Sequence, residues 1–162
     1  MPAPIARLIT PQTPEQLESV RVVFQEYAQQ LGIDLCVQRF DAELDDLPGE
    51  YAEPKGALLL AIVDDKLAGC CALRRLVSSD YPNACEMKRL FVRNSYRRLG
   101  VERQLAKAIL DAARVAGYHH LLLDTLTEMA SARALYEDLN FEEIPPYYHN
   151  PITGTHYLKV RL

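Results

Sequence analysis

Between Lys88 and Leu105 the chain reads KRLFVRNSYRRLGVERQL. A strand-like run ends at Val92, a basic loop with one glycine follows, and from Val101 the apolar spacing becomes helical. Val101, Leu105, Ile109, Ala112 and Ala116 form a single stripe, closed by Gly117. A second apolar strand, His120 to Leu126, comes directly after it. Strand, crossover helix and strand imply a parallel pair, right-handed by the general rule. This unit commits the chain to an α/β sheet.

The flanking segments complete that sheet. Ala6 to Thr10 reads as a short strand, and Thr13-Pro14-Glu15-Gln16 carries an N-cap, a proline at the first helical position and a capping-box glutamine. The helix that follows runs to Leu31, where Gly32 stops it, and buries Leu17, Val20, Phe24, Tyr27 and Leu31. Phe40 to Leu47 reads as a second short helix. Ala57 to Val63 and Leu67 to Val77 form a hairpin around Asp64-Asp65-Lys66, and Ala84 to Val92 adds a third antiparallel strand. After the crossover unit, Met129, Ala132, Tyr136 and Leu139 lie at helical spacing, with Thr125 or Thr127 as cap and Asn140 in the left-handed position. Strands at Phe141 to Ile144 and Thr155 to Leu162 close the chain. The predicted fold class is α/β, a mixed and partly antiparallel sheet with helices on both faces, in one domain over residues 1–162.

With 162 residues, 49% of them apolar and 25% charged, the composition is that of a soluble protein. No run of about 18 apolar residues exists, and the N-terminus lacks the pattern of a signal peptide. A cytoplasmic protein without a membrane partner is expected. The net charge of -4 gives no electrostatic reason to expect nucleic acid. Its distribution is uneven. Glu26 to Glu53 is acidic apart from Arg39, which suits a cation, whereas Lys88 to Arg103 is basic apart from Glu102, which suits an anion. Cys36, Cys70, Cys71 and Cys85 lack metal or disulfide spacing and read as reduced packing residues.

The junction at Gly100 carries the strongest chemical signal. A helix N-terminus presents unpaired N–H groups and the positive end of a dipole, so a glycine-bearing turn there cradles an anion. Arg97, Arg98 and Arg103 add guanidiniums that fork onto phosphate oxygens. Arg97-Arg98-Leu99-Gly100-Val101-Glu102 resembles the diphosphate-binding pattern Arg/Gln-x-x-Gly-x-Gly/Ala of the GNAT acetyltransferases. SARALYEDLNFEEI is similar to that family's ALYxxLGF signature, through Ala134, Leu135, Tyr136, Leu139 and Phe141. Glu102 and Asn140 depart from the pattern, and the resemblance is closest over residues 57–162.

The resemblance implies acetyl-CoA as cosubstrate, no metal, and direct attack by a neutral amine on the thioester in a ternary complex. Leu90, Phe91 and Val92 would line pantetheine and offer a backbone N–H to the oxyanion. Arg97, Arg98, Leu99, Gly100, Val101, Glu102 and Arg103 would hold the diphosphate, with the Glu102 carboxylate turned to solvent. An alkylammonium of pKa about 10 must lose a proton first. Glu86 is the candidate base, though a glutamate at that strand position is equally a sheet-surface residue. Tyr136 is the candidate acid for the departing thiolate, although spacing alone makes it a core aromatic. Tyr27, Phe40, Tyr51, Tyr147, Tyr148, His149 and His156 are weaker candidates near the acceptor. Asp124 and Thr125 read as capping and packing groups.

The expected function is acetyl transfer to a small-molecule or amino-acid-like amine, with the acidic stretch favouring a cationic acceptor. The alternative is a noncatalytic acyl-CoA-binding or sensing domain. An exposed sheet edge suits a homodimer.

Overall fold

The computed structural model describes residues 6–32, 39–77, 80–126, 129–148 and 153–162. After the first strand, β1 (Arg7–Ile9), helix α1 (Pro14–Leu31) begins as its capping box predicts. Thr13 Oγ1 accepts from the Gln16 N–H at 3.1 Å, and Gln16 Oε1 accepts from the Thr13 N–H at 3.2 Å. The helix stops at Gly32, whose φ of 66° is left-handed. Helix α2 (Phe40–Asp45) and a 3-10 turn at Gly49–Tyr51 lead into β2 (Ala57–Val63), β3 (Lys66–Leu76) and β4 (Ala84–Val92). Then come α3 (Val101–Val115), β5 (His120–Leu126), α4 (Ala130–Asp138), β6 (Glu142–Ile144) and β7 (Thr155–Arg161).

The seven strands form one sheet in the order β1-β2-β3-β4-β5-β7-β6. The first four are antiparallel neighbours, β4 and β5 are parallel, and β7 runs antiparallel between β5 and β6. Helices cover both faces, as the apolar periodicities require. On one face Val101, Leu105, Ile109, Leu135 and Tyr136 pack against Cys71, Met87 and Leu121. On the other, Val20, Phe24, Phe40 and Leu44 pack against Leu60, Cys70 and Phe91. Cys70, Cys71 and Cys85 are buried free thiols within these layers, and burial pushes Cys85 up to about 12.

One expected detail differs. Thr125 does not cap α4; it belongs to β5 and its hydroxyl lies 3.7 Å from the Met129 sulfur, while α4 starts at Met129 without a side-chain cap. Thr127 and Cys36 lie outside the described residues. Asn140 holds the predicted left-handed conformation at φ 69°.

Candidate active site

Two departures from regular pairing shape the centre of the sheet. The first is a bulge. Cys70 pairs with Phe91 and Ala72 with Lys88, so Arg89 and Leu90 together oppose the single residue Cys71. Arg89 takes φ 61° there, and the extra residue turns Lys88 and Arg89 toward the same side of the sheet. Gly69 sits beside this stretch because a Cβ would collide with the Phe91 carbonyl. The second departure is a divergence. β4 and β5 pair only from Ala84–His120 to Glu86–Leu122, and the later residues of both strands separate.

The divergence opens a cleft of about 300 Å³. Leu90, Phe91 and Val92 line it from β4, Leu126 from β5, Arg97 and Glu102 from the junction with α3, and Met129 to Ala132 from the start of α4. Gly100 is the N-cap residue of α3 at φ 80°, where a residue with a Cβ is strained. The first intrahelical bond runs from the Gln104 N–H to the Gly100 carbonyl, so the preceding amides project from the helix N-terminus. Arg97 is anchored by donating Nε–H to the Val92 carbonyl at 3.1 Å. Arg98 and Gly100 lie on the exposed side of the same turn, Leu99 packs partly buried against the core, and Val101 is a core residue. Arg103 points elsewhere, to Asp138 at 2.9 Å. The Glu102 carboxylate, expected in solvent, instead lines the cleft; partial burial raises its pKa, against the pull of Arg97. Among the sequence candidates for the acceptor, Tyr27 lines this cleft rather than the neighbouring cavity.

A second cavity of about 670 Å³ opens next to it on the same strand. Glu86 and Lys88 form part of its wall with Arg74 from β3, Tyr51, residues of α2, and Tyr147 and Tyr148 from the loop after β6. Glu86 is 1% exposed. Its Oε1 accepts from Arg74 Nε at 2.7 Å and its Oε2 from the Tyr147 hydroxyl at 2.7 Å. Burial alone would raise its pKa; the charges of Lys88 and Arg74 and these two hydrogen bonds hold it below the usual glutamate value. Both oxygens are thus engaged by donors that favour the ionised form, which opposes the role of base expected from the sequence. Burial pushes the Lys88 ammonium down, with Glu86 pushing back.

Tyr136 of α4 is buried in the core layer with Cys71, Leu121 and Leu135. Burial keeps its hydroxyl protonated far above neutral pH, with Cys71, Tyr27, Glu102 and Asp124 adding to the shift. It packs against Phe141 with ring centroids 5.4 Å apart.

Three acids of the acidic stretch are paired with arginines. Glu26 grips Arg93 through two bonds of 2.9 and 2.7 Å, Glu43 grips Arg89 through two of 3.0 Å, and Glu50 holds Arg74 at 2.8 Å. Two of these pairs, Glu26–Arg93 and Glu43–Arg89, join the acidic and basic stretches across the fold. Glu43, Asp46 and Glu50 of this stretch also line the second cavity. His156 lies 3.3 Å from Glu143 on the exposed side, and His149 is outside the described residues. Among the described residues no group of three or more His, Cys, Asp or Glu is arranged to hold a metal ion. Phe40 stacks beneath the Arg89 guanidinium at 5.2 Å.

A seven-stranded sheet split between β4 and β5, with the N-terminus of α3 at the split, is of the acyl-CoA N-acyltransferase type. The family model "Acetyltransferase (GNAT) family" matches residues 18–141, and the chain belongs to that family. An uncharacterized N-acetyltransferase of Schizosaccharomyces pombe is 36% identical over 150 residues, covering 92% of this chain and 90% of the relative. N-acetylaspartate synthetase of Xenopus tropicalis is 29% identical over 129 residues, which is 78% of this chain and 46% of that protein. Among solved structures, a Bacillus subtilis acetyltransferase in complex with CoA superposes with a TM-score of 0.66 at 18% identity, covering 98% of this chain and 99% of that one. The fold and the acetyltransferase class follow. No helix of the described residues is long and apolar enough to cross a membrane.

Proposed function

We propose that the protein binds acetyl-CoA in the cleft between β4 and β5 and transfers its acetyl group to a small, amino-acid-like amine held in the neighbouring cavity. The single observation behind this reading is that one strand lines both spaces. Leu90 to Val92 face the cleft, and Glu86 and Lys88 face the cavity two residues away. The diphosphate fits at the N-terminus of α3 with Arg97 and the exposed Arg98 and Gly100, and pantetheine runs along Leu90 to Val92. Both substrates are then present together, and the amine attacks the thioester directly. A backbone N–H of the bulged strand receives the oxyanion, and Tyr136 protonates the departing thiolate. The Bacillus neighbour's bound CoA and the amino-acid product in the name of the Xenopus relative support these choices. Lys88 on the cavity wall suits an acceptor that carries a carboxylate.

The test combines calorimetric titration with acetyl-CoA and thiol release over a panel of L-amino acids, diamines and arylalkylamines. Saturable turnover with at least one amine is expected. Tight CoA binding with flat rates throughout would favour the noncatalytic acyl-CoA-binding reading, to which the Glu102 carboxylate in the cleft lends its one structural argument.

A further inference from the structure

Two carboxylates face each other across the split in the sheet, and the structure treats them differently. Glu86 on β4 has both oxygens bound, by Arg74 and Tyr147. Asp124 on β5 receives one hydrogen bond, from the Tyr148 hydroxyl to Oδ2 at 2.7 Å. Oδ1 accepts none among the described residues, and it is not a sealed buried atom. Asp124 is half-buried, between the residues that line the two cavities.

Its position matters as much as its partners. Asp124 lies two residues beyond Leu122, the last β5 residue paired with β4, and two residues before Leu126, which lines the cofactor cleft. Tyr148, its hydrogen-bond donor, lines the second cavity. The carboxylate therefore stands at the partition between the two spaces, where an amine from one meets a thioester in the other. Glu86, Lys88 and Arg89 face it from β4, Tyr147 and Tyr148 from the loop after β6, Tyr27 from α1 and Tyr136 from α4. On β7 its paired neighbour is Tyr157.

We infer that Asp124, rather than Glu86, is the catalytic residue that takes the proton from the acceptor amine, and that the Glu86–Arg74–Tyr147 group is a fixed support for the cavity wall. This rests on the acetyltransferase reading above. The ammonium gives one proton to Asp124 Oδ1, and the freed nitrogen lone pair forms the C–N bond. The C–S bond breaks with its electron pair on sulfur, and the second N–H proton reaches the thiolate by way of the Tyr136 hydroxyl. Asp124 returns its proton to water through the open cavity. Burial and the neighbouring Glu86 charge raise the Asp124 pKa, against the Tyr148 hydrogen bond and the charges of Lys88 and Arg89. Raised basicity suits proton uptake, whereas Glu86 is shifted the other way.

The experiment is a pH–rate profile with acetyl-CoA and the fastest acceptor of the amine panel, for wild type, Asp124→Asn and Glu86→Gln. Asp124→Asn should lower kcat at neutral pH by about 10²–10⁴-fold, the usual contribution of a positioned base. Its KM for acetyl-CoA should stay within about twofold. Its rate should climb about tenfold per pH unit toward the amine's own pKa of about 10, because only the free amine then reacts. Asparagine still accepts from Tyr148, so the fold should be kept and the melting temperature should stay at or above the wild-type value. Glu86→Gln should keep the wild-type shape of the profile at reduced amplitude. An Asp124→Asn enzyme with an unchanged profile and a rate within threefold of wild type overturns the inference, as does a Glu86→Gln enzyme that alone acquires the steep pH dependence. A wild-type protein that acetylates none of the amines overturns the acetyltransferase reading itself and this inference with it.

Discussion

The Tyr147 hydroxyl donates to Glu86 Oε2 over 2.7 Å, tying the loop after β6 to the middle of β4 across 61 positions of sequence. Glu86 is inaccessible to water and ionised, so this bond is charge-assisted and held in a low-dielectric setting. It closes one side of the second cavity.

Removing that donor should loosen the wall without touching the cofactor cleft. Tyr147→Phe is expected to raise the acceptor KM about fivefold or more, to leave CoA affinity unchanged by calorimetry, and to lower stability by about 1–2 kcal/mol. The pH dependence of stability follows from the same carboxylate. The folded pKa of Glu86 lies below its ordinary value of 4.5, so the ionised group contributes stability at neutral pH. That contribution shrinks as the pH falls below about 4.5 toward the folded value. Melting temperatures recorded down the acid limb should show the loss in wild type and a flatter limb in Glu86→Gln.

Arg97 and Arg98 should separate cleanly. Arg97 is anchored on the Val92 carbonyl and lines the cleft, so Arg97→Ala should weaken CoA binding by about tenfold or more, the scale of one charge-assisted contact. Arg98 is exposed like Arg97, but it takes φ 65° and is not among the residues lining the cleft, so water and salt screen its charge more fully. Arg98→Ala should cost no more than about fivefold, and the difference from wild type should vanish at high salt. Isothermal titration at two ionic strengths reads both.

Glu102→Ala should tighten CoA binding. The carboxylate lines the cleft with Arg97 and meets an incoming diphosphate as a like charge. A screened repulsion of about 1 kcal/mol corresponds to a Kd several-fold lower in the variant. The gain should diminish below neutral pH, because the raised pKa allows wild-type Glu102 to protonate more readily than an ordinary glutamate.

Arg89 is a stability residue. It is 4% exposed, makes two bonds of 3.0 Å to Glu43, and lies over the rings of Phe40 and Tyr27 at 5.2 and 5.9 Å. Arg89→Met should cost about 3 kcal/mol in urea unfolding, since Glu43 keeps a poorly solvated charge. The double variant with Glu43→Leu should recover part of that loss.

Tyr136→Phe should lower kcat at least tenfold while leaving CoA affinity within about twofold. Its ring packs on Phe141 in either form, so only the hydroxyl chemistry changes. Stopped-flow thiol release and CoA titration on the same preparation separate the two quantities.

Most of the fold was legible because its signals are local. The Thr13–Gln16 capping box, the glycine after Leu31 and the change of period at Val101 each act within a few residues of chain. The lining of the first cleft was legible in part for the same reason, since Leu90 to Val92 are consecutive and Arg97 and Glu102 fall in one short turn. What escaped depends on distant pairing. The charges of Glu26 and Arg93 lie 67 positions apart, so their union left no trace in a linear charge count. The second cavity draws on α2, β3, β4 and a loop beyond β6, and Asp124 gains its setting only where β5 leaves β4. The bulge was invisible because KRLFV alternates no better or worse with an extra residue in it.

That one additional residue in β4 sets a rule for exchanging pieces of this protein. Upstream of Arg89 the odd-numbered Cys85 and Met87 face α3; downstream the even-numbered Leu90 and Val92 do. Deleting Arg89 would restore regular pairing, with Leu90 opposite Cys71 and Phe91 still opposite Cys70, and would keep Phe91 in the layer it shares with Phe24 and Phe40. A chimera that splices this strand from a straight-paired homologue must therefore be aligned with a gap at Arg89, because a residue-for-residue alignment puts every side chain past the seam on the wrong side of the sheet.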